Sequence, residues 1–232
     1  MTADGSEAGS PTGPPTGHGG EGFAQAGTGR VEAFSDAVFA IAMTILALEM
    51  RTPDHPSGGL LPALWHQWPV YLGYLTSFAY IGVIWLNHHQ AFTRVRVVDR
   101  SLHAANLTLL LTTAALAFPT AVVSDAVQSD IGGADARTAV ALYALIAAAM
   151  CASWRWIYIH LARRPDLLTS GDHRRYIRHG RMRSSTGVVG YALGGALGWF
   201  VHPAIALGLF LLLPIFYFAT SEGLPRLSRR GG

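Results

Sequence analysis

The chain has 232 residues, of which half are apolar and 13% charged, with a formal net charge of +3. Positive mean hydropathy with so few charges excludes an ordinary soluble domain and indicates an all-α, multi-pass membrane protein. All seventeen basic residues are arginine, and a single cysteine, Cys151, excludes both an intrachain disulfide and a cysteine-based metal site.

Residues 1–29 are dominated by Gly, Pro, Thr and Ser. They carry too little apolar surface to offset the entropy of ordering, so a disordered tail is expected. The tail lacks the apolar stretch of a cleavable signal peptide. Six apolar runs follow, at 31–50, 68–88, 103–123, 138–160, 186–201 and 204–220. They predict a six-helix transmembrane domain over 30–221, followed by a short basic tail at 222–232. The fifth run is short for a span, and only His202 and Pro203 separate it from the sixth, which predicts a tight helical hairpin.

The arginines fall in alternate connections. Arg94, Arg96 and Arg100 follow the second run, Arg163 to Arg183 lie between the fourth and fifth, and Arg226, Arg229 and Arg230 follow the sixth. By the positive-inside rule both termini are cytoplasmic. The basic balance thus orients the chain in its membrane, with an anionic-lipid site in the 163–183 loop as a rival use. It gives no reason to expect nucleic-acid binding. Trp65, Trp68, Trp154 and Trp156 fall near expected membrane interfaces.

The first run opens with Arg30, Phe34, Ser35 and Asp36. Residues 37–48 alone are too short to cross a bilayer, so the helix must include Ser35 and Asp36. A carboxylate inside a membrane helix is costly and reads as functional. At 100° per residue Ile41, Ile45 and Leu48 share one face, extended by Phe34 and Val38, and Asp36 lies about 140° from Ile41. The aliphatic face suits a pore axis, lipid contact or helix packing, with Asp36 buried on the other side. Glu32 stacks one turn before Asp36, so cationic donors are expected near them, from among Arg30, His88, His89 and His103.

The second run ends with Trp85, Asn87, His88 and His89. Adjacent helical residues diverge by about 100°, so the tandem histidines chelate one ion poorly, and hydrogen bonding to a buried acid is the preferred reading over metal ligation. Asn106 in the third run can bridge helices, and Pro119 kinks or ends that helix. Gly190, Gly194 and Gly198 form a small-residue face for close helix approach.

These motifs together resemble the transmembrane protein 175 family, known in animals as the endolysosomal potassium channel. Arg30-xxx-Phe34-Ser35-Asp36 is similar to the family's RxxxFSD signature, Trp85-xx-His88 to its WxxH, and Asn106-Leu107 with Phe118-Pro119-Thr120 to its third-helix pattern. The resemblance covers about residues 30–124, with Ala117 standing where many bacterial members carry a proline. It implies a homotetramer of six-helix subunits with the first helix lining the pore. A hydrophobic constriction falls at Ile41, Ile45 and Leu48, and Thr44 matches a threonine linked to selectivity. Asp36 is expected to face away into a hydrogen-bonded network with Arg30, Trp85, His88 and Asn106, the Phe34-Ser35 motif residues lying beside it.

The resulting expectation is a potassium-permeable channel of the bacterial plasma membrane, not an enzyme, with potassium ions, membrane lipids and further copies of itself as partners and no cofactor. There is no TVGYG filter sequence, so carbonyl-ring selectivity is not available. The rivals are a proton-conducting channel, an intramembrane metalloenzyme built on Asp36 and the histidines, and a non-conducting scaffold.

Overall fold

The computed structural model describes residues 26–171 and 173–220. The tails expected at 1–29 and 222–232 therefore lie outside the described residues, apart from positions 26–29. Those four already have regular structure, ahead of the domain start expected at Arg30. β1 (Ala26–Gly27) pairs antiparallel with β2 (Val97–Val98), and α1 (Thr28–Leu48) begins directly after it. The Thr28 hydroxyl donates to the Arg96 carbonyl at 3.0 Å. Just before β2 the chain bonds to the 167–169 strip, through Arg96 N–H to Leu167 O and Thr169 N–H to Arg94 O. Three pieces of chain are thus joined by backbone bonds at the arginine-rich end of the bundle.

The remaining elements are helices. A short α2 (Leu60–His66) leads into α3 (Trp68–Phe92), then α4 (Arg100–Ala114), α5 (Ala117–Asp130), α6 (Ala134–Arg163), α7 (Arg174–Phe200) and α8 (Pro203–Thr220). Counting α4 and α5 as one, five helices are long and apolar enough to cross a membrane: α1, α3, α4–α5, α6 and α8. α7 does not meet that measure. Its helix starts at Arg174 instead of near Thr186, so most of the expected basic loop is helical. Arginine is a good helix former, and Gly180 is the one weak residue between Arg174 and Ser184.

The α4–α5 junction shows what Pro119 does. Without an N–H it cannot bond the Ala115 carbonyl, which instead accepts from Phe118 N–H at 3.3 Å. The helix breaks at Ala115 and Leu116, one turn ahead of the proline.

α6 is the central strut and packs against α4, α5, α7 and α8, while α1 rests at the edge on α3 and α4. Close approach of α7 depends on glycines of two faces. A β-carbon on Gly195 would lie 2.6 Å from Ala144 Cβ of α6, and one on Gly198 2.7 Å from Val140 Cγ2. On the α8 side, one on Gly194 would lie 2.9 Å from Phe210 and one on Gly190 3.2 Å from Leu213. The expected Gly190/Gly194/Gly198 face meets α8, and Gly187, Gly195 and Gly198 seat α7 on α6. Of the tryptophans, Trp65, Trp68 and Trp156 are exposed. Trp154 is not interfacial: it is buried, stacked on Tyr158 and edge-on to His88.

At the start of α4, the Asp99 carboxylate accepts from Leu102 N–H at 2.8 Å, the standard N-cap bond. His160 Nε2 of α6 lies 2.9 Å from both of its oxygens and Arg164 3.6 Å away. Partial burial alone would raise the Asp99 carboxyl, but the Leu102 N–H, His160 and Arg164 together hold it below its ordinary value.

Two predictions follow from this packing. Gly195→Ala should destabilise the detergent-solubilised protein by about 1–3 kcal/mol through overpacking, whereas Gly208→Ala, which meets nothing within 4 Å, should be neutral or stabilising. Thermal unfolding of the pair decides it, and equal melting points would sink the close-approach argument. At Asp99 the depressed carboxyl contributes stability above the unfolded value of about 3.9, which is lost as pH falls through the folded value. Asp99→Asn keeps the cap and should flatten that acid limb; Asp99→Ala should also lose the cap, about 1 kcal/mol. Melting temperature against pH for the three proteins separates the two contributions.

Candidate functional site

α1 has two faces of different character. Val31, Ser35, Phe39, Ala42 and Leu46 are buried, a stripe with helical spacing that packs on α3 and α4. On the other side Ile41 is 57% exposed, Ile45 40% and Leu48 73%. Thr44 is exposed on the same side, its hydroxyl donating to the Ile41 carbonyl at 2.8 Å. Val38, expected on this stripe, is half-buried and packs against the core.

The buried face is pinned by a directional chain of hydrogen bonds. The Ser35 hydroxyl donates to Val31 O at 2.8 Å, so its oxygen is free to accept. Asn106 Nδ2 of α4 donates to it at 3.0 Å. That orientation leaves Asn106 Oδ1 facing His88 Nε2 of α3 at 2.9 Å, which makes Nε2 the donor. Ser35, His88 and Asn106 are each at most 1% exposed. The imidazole stacks on Phe92 with ring centroids 4.2 Å apart, with Phe39 edge-on at 5.2 Å. His88 Nδ1 is buried without a partner among the described residues.

Asp36 departs from expectation. Ser35 occupies the buried position and Asp36, about 100° further round, is exposed. It accepts from Trp85 Nε1 at 2.9 Å, a second and separate tie between α1 and α3. The structure thus joins Ser35, Asn106 and His88 in one group and Asp36 and Trp85 in another. Arg30 and Phe34 are exposed, and Arg30 makes no hydrogen bond or ion pair with another described residue. None of Arg30, His88, His89 or His103 forms an ion pair with Glu32 or Asp36 among the described residues. His89 points away from His88 and stacks beside Trp85. No group of three His, Cys, Asp or Glu side chains suited to a metal ion occurs among the described residues.

One polar knot was not anticipated from sequence. Arg183 Nη2 of α7 donates to Asn87 Oδ1 at 2.6 Å, and Nη1 donates to the Thr220 carbonyl of α8 at 2.8 Å. Tyr217 OH donates to the Arg183 carbonyl at 3.2 Å and lies 3.6 Å from the buried Cys151 Sγ. The partners are far apart in sequence, and Arg183 closes a run of arginines that otherwise reads as surface. Asn87 and His88 therefore tie the end of α3 in two directions, to α7 and to α4.

The anchor is testable. Asn106→Leu removes the bridge and leaves His88 Nε2 and the Ser35 oxygen unpaired in a dry site, an expected loss of about 1–3 kcal/mol. Added to Ser35→Ala it should be clearly less than additive, because both remove the same bond. Strict additivity in thermal unfolding would show that the chain does not act as a unit.

Comparison with known proteins agrees with this geometry. Residues 30–116, which contain every member of both hydrogen-bonded groups, match the family model described as endosomal/lysosomal potassium channel TMEM175. A relative named as a potassium channel in Streptomyces collinus is 40% identical over 192 residues, covering 82% of this chain and 91% of its own. The human endosomal/lysosomal proton channel TMEM175 is 40% identical over 98 residues, 38% of this chain and 18% of that protein. A crystal structure described as a lysosomal potassium-selective channel TMEM175 homolog from Chamaesiphon minutus superposes with a TM-score of 0.73 at 33% identity, covering 84% of this chain and 98% of that one. With that identity sustained over most of both chains, the protein belongs to the TMEM175 family of ion channels.

Proposed function

We propose that this protein is a passive, potassium-permeable channel of the bacterial plasma membrane, with residues 30–221 forming a six-helix subunit whose termini are both cytoplasmic. Four copies surround an axis lined by α1. In this reading α7 supplies the sixth span, and the arginines of its opening stretch, Arg174 to Arg183, account for its low apolarity. The relatives from Streptomyces collinus and Chamaesiphon minutus named as potassium channels support the permeant ion.

The observation that carries the proposal is the asymmetry of α1. One face is held by Ser35, Asn106 and His88, and the face with Ile41, Thr44, Ile45 and Leu48 is left uncovered by the other described residues. Asp36 beside it is exposed as well, and a carboxylate facing lipid is costly. Assembly about α1 resolves both: the aliphatic side chains form narrow rings around the axis, and neighbouring copies shield Asp36 and Trp85. Such rings gate by dewetting and distinguish dehydrated cations weakly, so moderate selectivity is expected, with Thr44 as the hydroxyl nearest the rings. Ser35, Asp36, Trp85, His88 and Asn106 hold the helix, the exposed Arg30 and Phe34 face the neighbouring copies, and none of the seven binds the ion.

A second reading, proton conduction, is favoured by the name of the human relative. Ion flux into liposomes separates the two. Potassium-driven flux above sodium-driven flux is expected, and Ile41→Asn should raise it severalfold while lowering the potassium preference. Unchanged flux in an assembled Ile41→Asn protein would move the constriction elsewhere. Flux that follows the proton gradient alone would replace potassium by protons as the permeant ion.

A further inference from the structure

One charged surface has no part in the channel reading. Along α6 and α7, at the arginine-rich end, an open cleft of about 490 Å³ is lined by Arg155, Arg178, Arg181, Met182, Ser185 and Thr186. Arg155, Arg178 and Arg181 are all exposed, and none pairs with a carboxylate among the described residues. Arg155 donates to Ser185 Oγ at 2.6 Å. The two hydroxyls already donate to their own helix, Ser185 to Arg181 O and Thr186 to Met182 O. Among the described residues the cleft therefore offers guanidinium donors and no acid.

Helix stability does not explain these side chains. Arg155 is eight residues inside the end of α6, about 12 Å along a helix apolar enough to span. Beside Trp156, which marks a membrane interface in the sequence, this cation is placed to meet an anionic headgroup. Arg178 and Arg181 are the fifth and eighth residues of α7 and bring two further like charges to the side of Arg155. Arg178, Arg181 and Ser185 follow spacings of three and four and so share one face. Three cations converge on one cleft with no carboxylate paired to them among the described residues, which is the arrangement of a site for an anion.

What lies beside the cleft indicates the rest of the ligand. Met182 at its rim is 64% exposed, and the same stripe of α7 continues through Val189, Leu193 and Phe200, at 56%, 57% and 80%. A basic cleft that opens onto an apolar track of a membrane protein matches a phosphate attached to acyl chains. We propose that the Arg155/Arg178/Arg181 cleft binds the phosphate headgroup of an anionic phospholipid, whose chains lie along the exposed stripe of α7. This inference rests on membrane embedding but not on conduction.

The test is lipid retention by the full-length, detergent-purified protein, read by native mass spectrometry with phosphatidylglycerol or phosphatidylcholine added. Phosphatidylglycerol should be retained preferentially, and each Arg→Gln change at 155, 178 and 181 should weaken it about fivefold. Inorganic phosphate at the same concentration should not displace it. Equal retention of the two lipids, or undiminished phosphatidylglycerol retention in R155Q/R178Q/R181Q, overturns the proposal. Displacement by inorganic phosphate overturns the lipid assignment in favour of a soluble phosphate ligand. Should the triple variant not fold, R178Q carries the test, because Arg178 makes no hydrogen bond to another described residue. Lipid retention is independent of flux, so failure of the channel reading and failure of this site are distinguishable.

Discussion

A polar side chain buried between membrane helices must find its partners in the protein, and this constraint sets the position of α1. The bonds run one way, from His88 through Asn106 and Ser35 to the Val31 carbonyl. Every link in that series pairs one donor with one acceptor, so rotating α1 by one residue would break the chain and put Asp36 in the slot that Ser35 fills. The apolar packing of Phe39, Ala42 and Leu46 adds area but little angular precision, since neighbouring positions are apolar too. The hydrogen bonds supply the precision, and the outward face bearing Ile41, Ile45 and Leu48 is fixed as a result.

The same economy recurs at the end of α3. Asn87 and His88 are adjacent, point about 100° apart, and bind different helices, α7 through Arg183 and α4 through Asn106. One turn of helix therefore joins the α1–α3–α4 group to the α7–α8 hairpin. The α4–α5 break tolerates Pro119 because Phe118 N–H takes the carbonyl that the proline releases.

The all-helical, membrane-spanning character and the positions of the five long apolar helices were legible in the sequence because apolar runs are long-period signals. The spacing of Phe34, Ser35 and Asp36 marked the turn of α1 that is hydrogen-bonded to α3 and α4, but periodicity could not decide which of two adjacent polar residues faces inward. Charge argued for burying Asp36 with cations, whereas the structure buries the neutral serine, which needs no counter-ion. Arg183 was invisible as a structural residue because its partners, Asn87 and Thr220, lie on other helices and neither shares a local pattern with it. The helical start of α7 was hidden because a hydropathy reading registers apolar length and does not register helix propensity in a basic segment. Strand pairs of two residues, such as β1 and β2, are too short to leave any periodicity.

Those two-residue strands have a consequence for sequence variation. The pieces around 26–28, 94–98 and 167–169 are held together largely by main-chain donors and acceptors. Main-chain bonds do not depend on side-chain identity, so charge and size at this surface are free to drift without loosening the root of α1. The arginine-rich end can thus diversify its outer chemistry between relatives while the helix it anchors keeps one register.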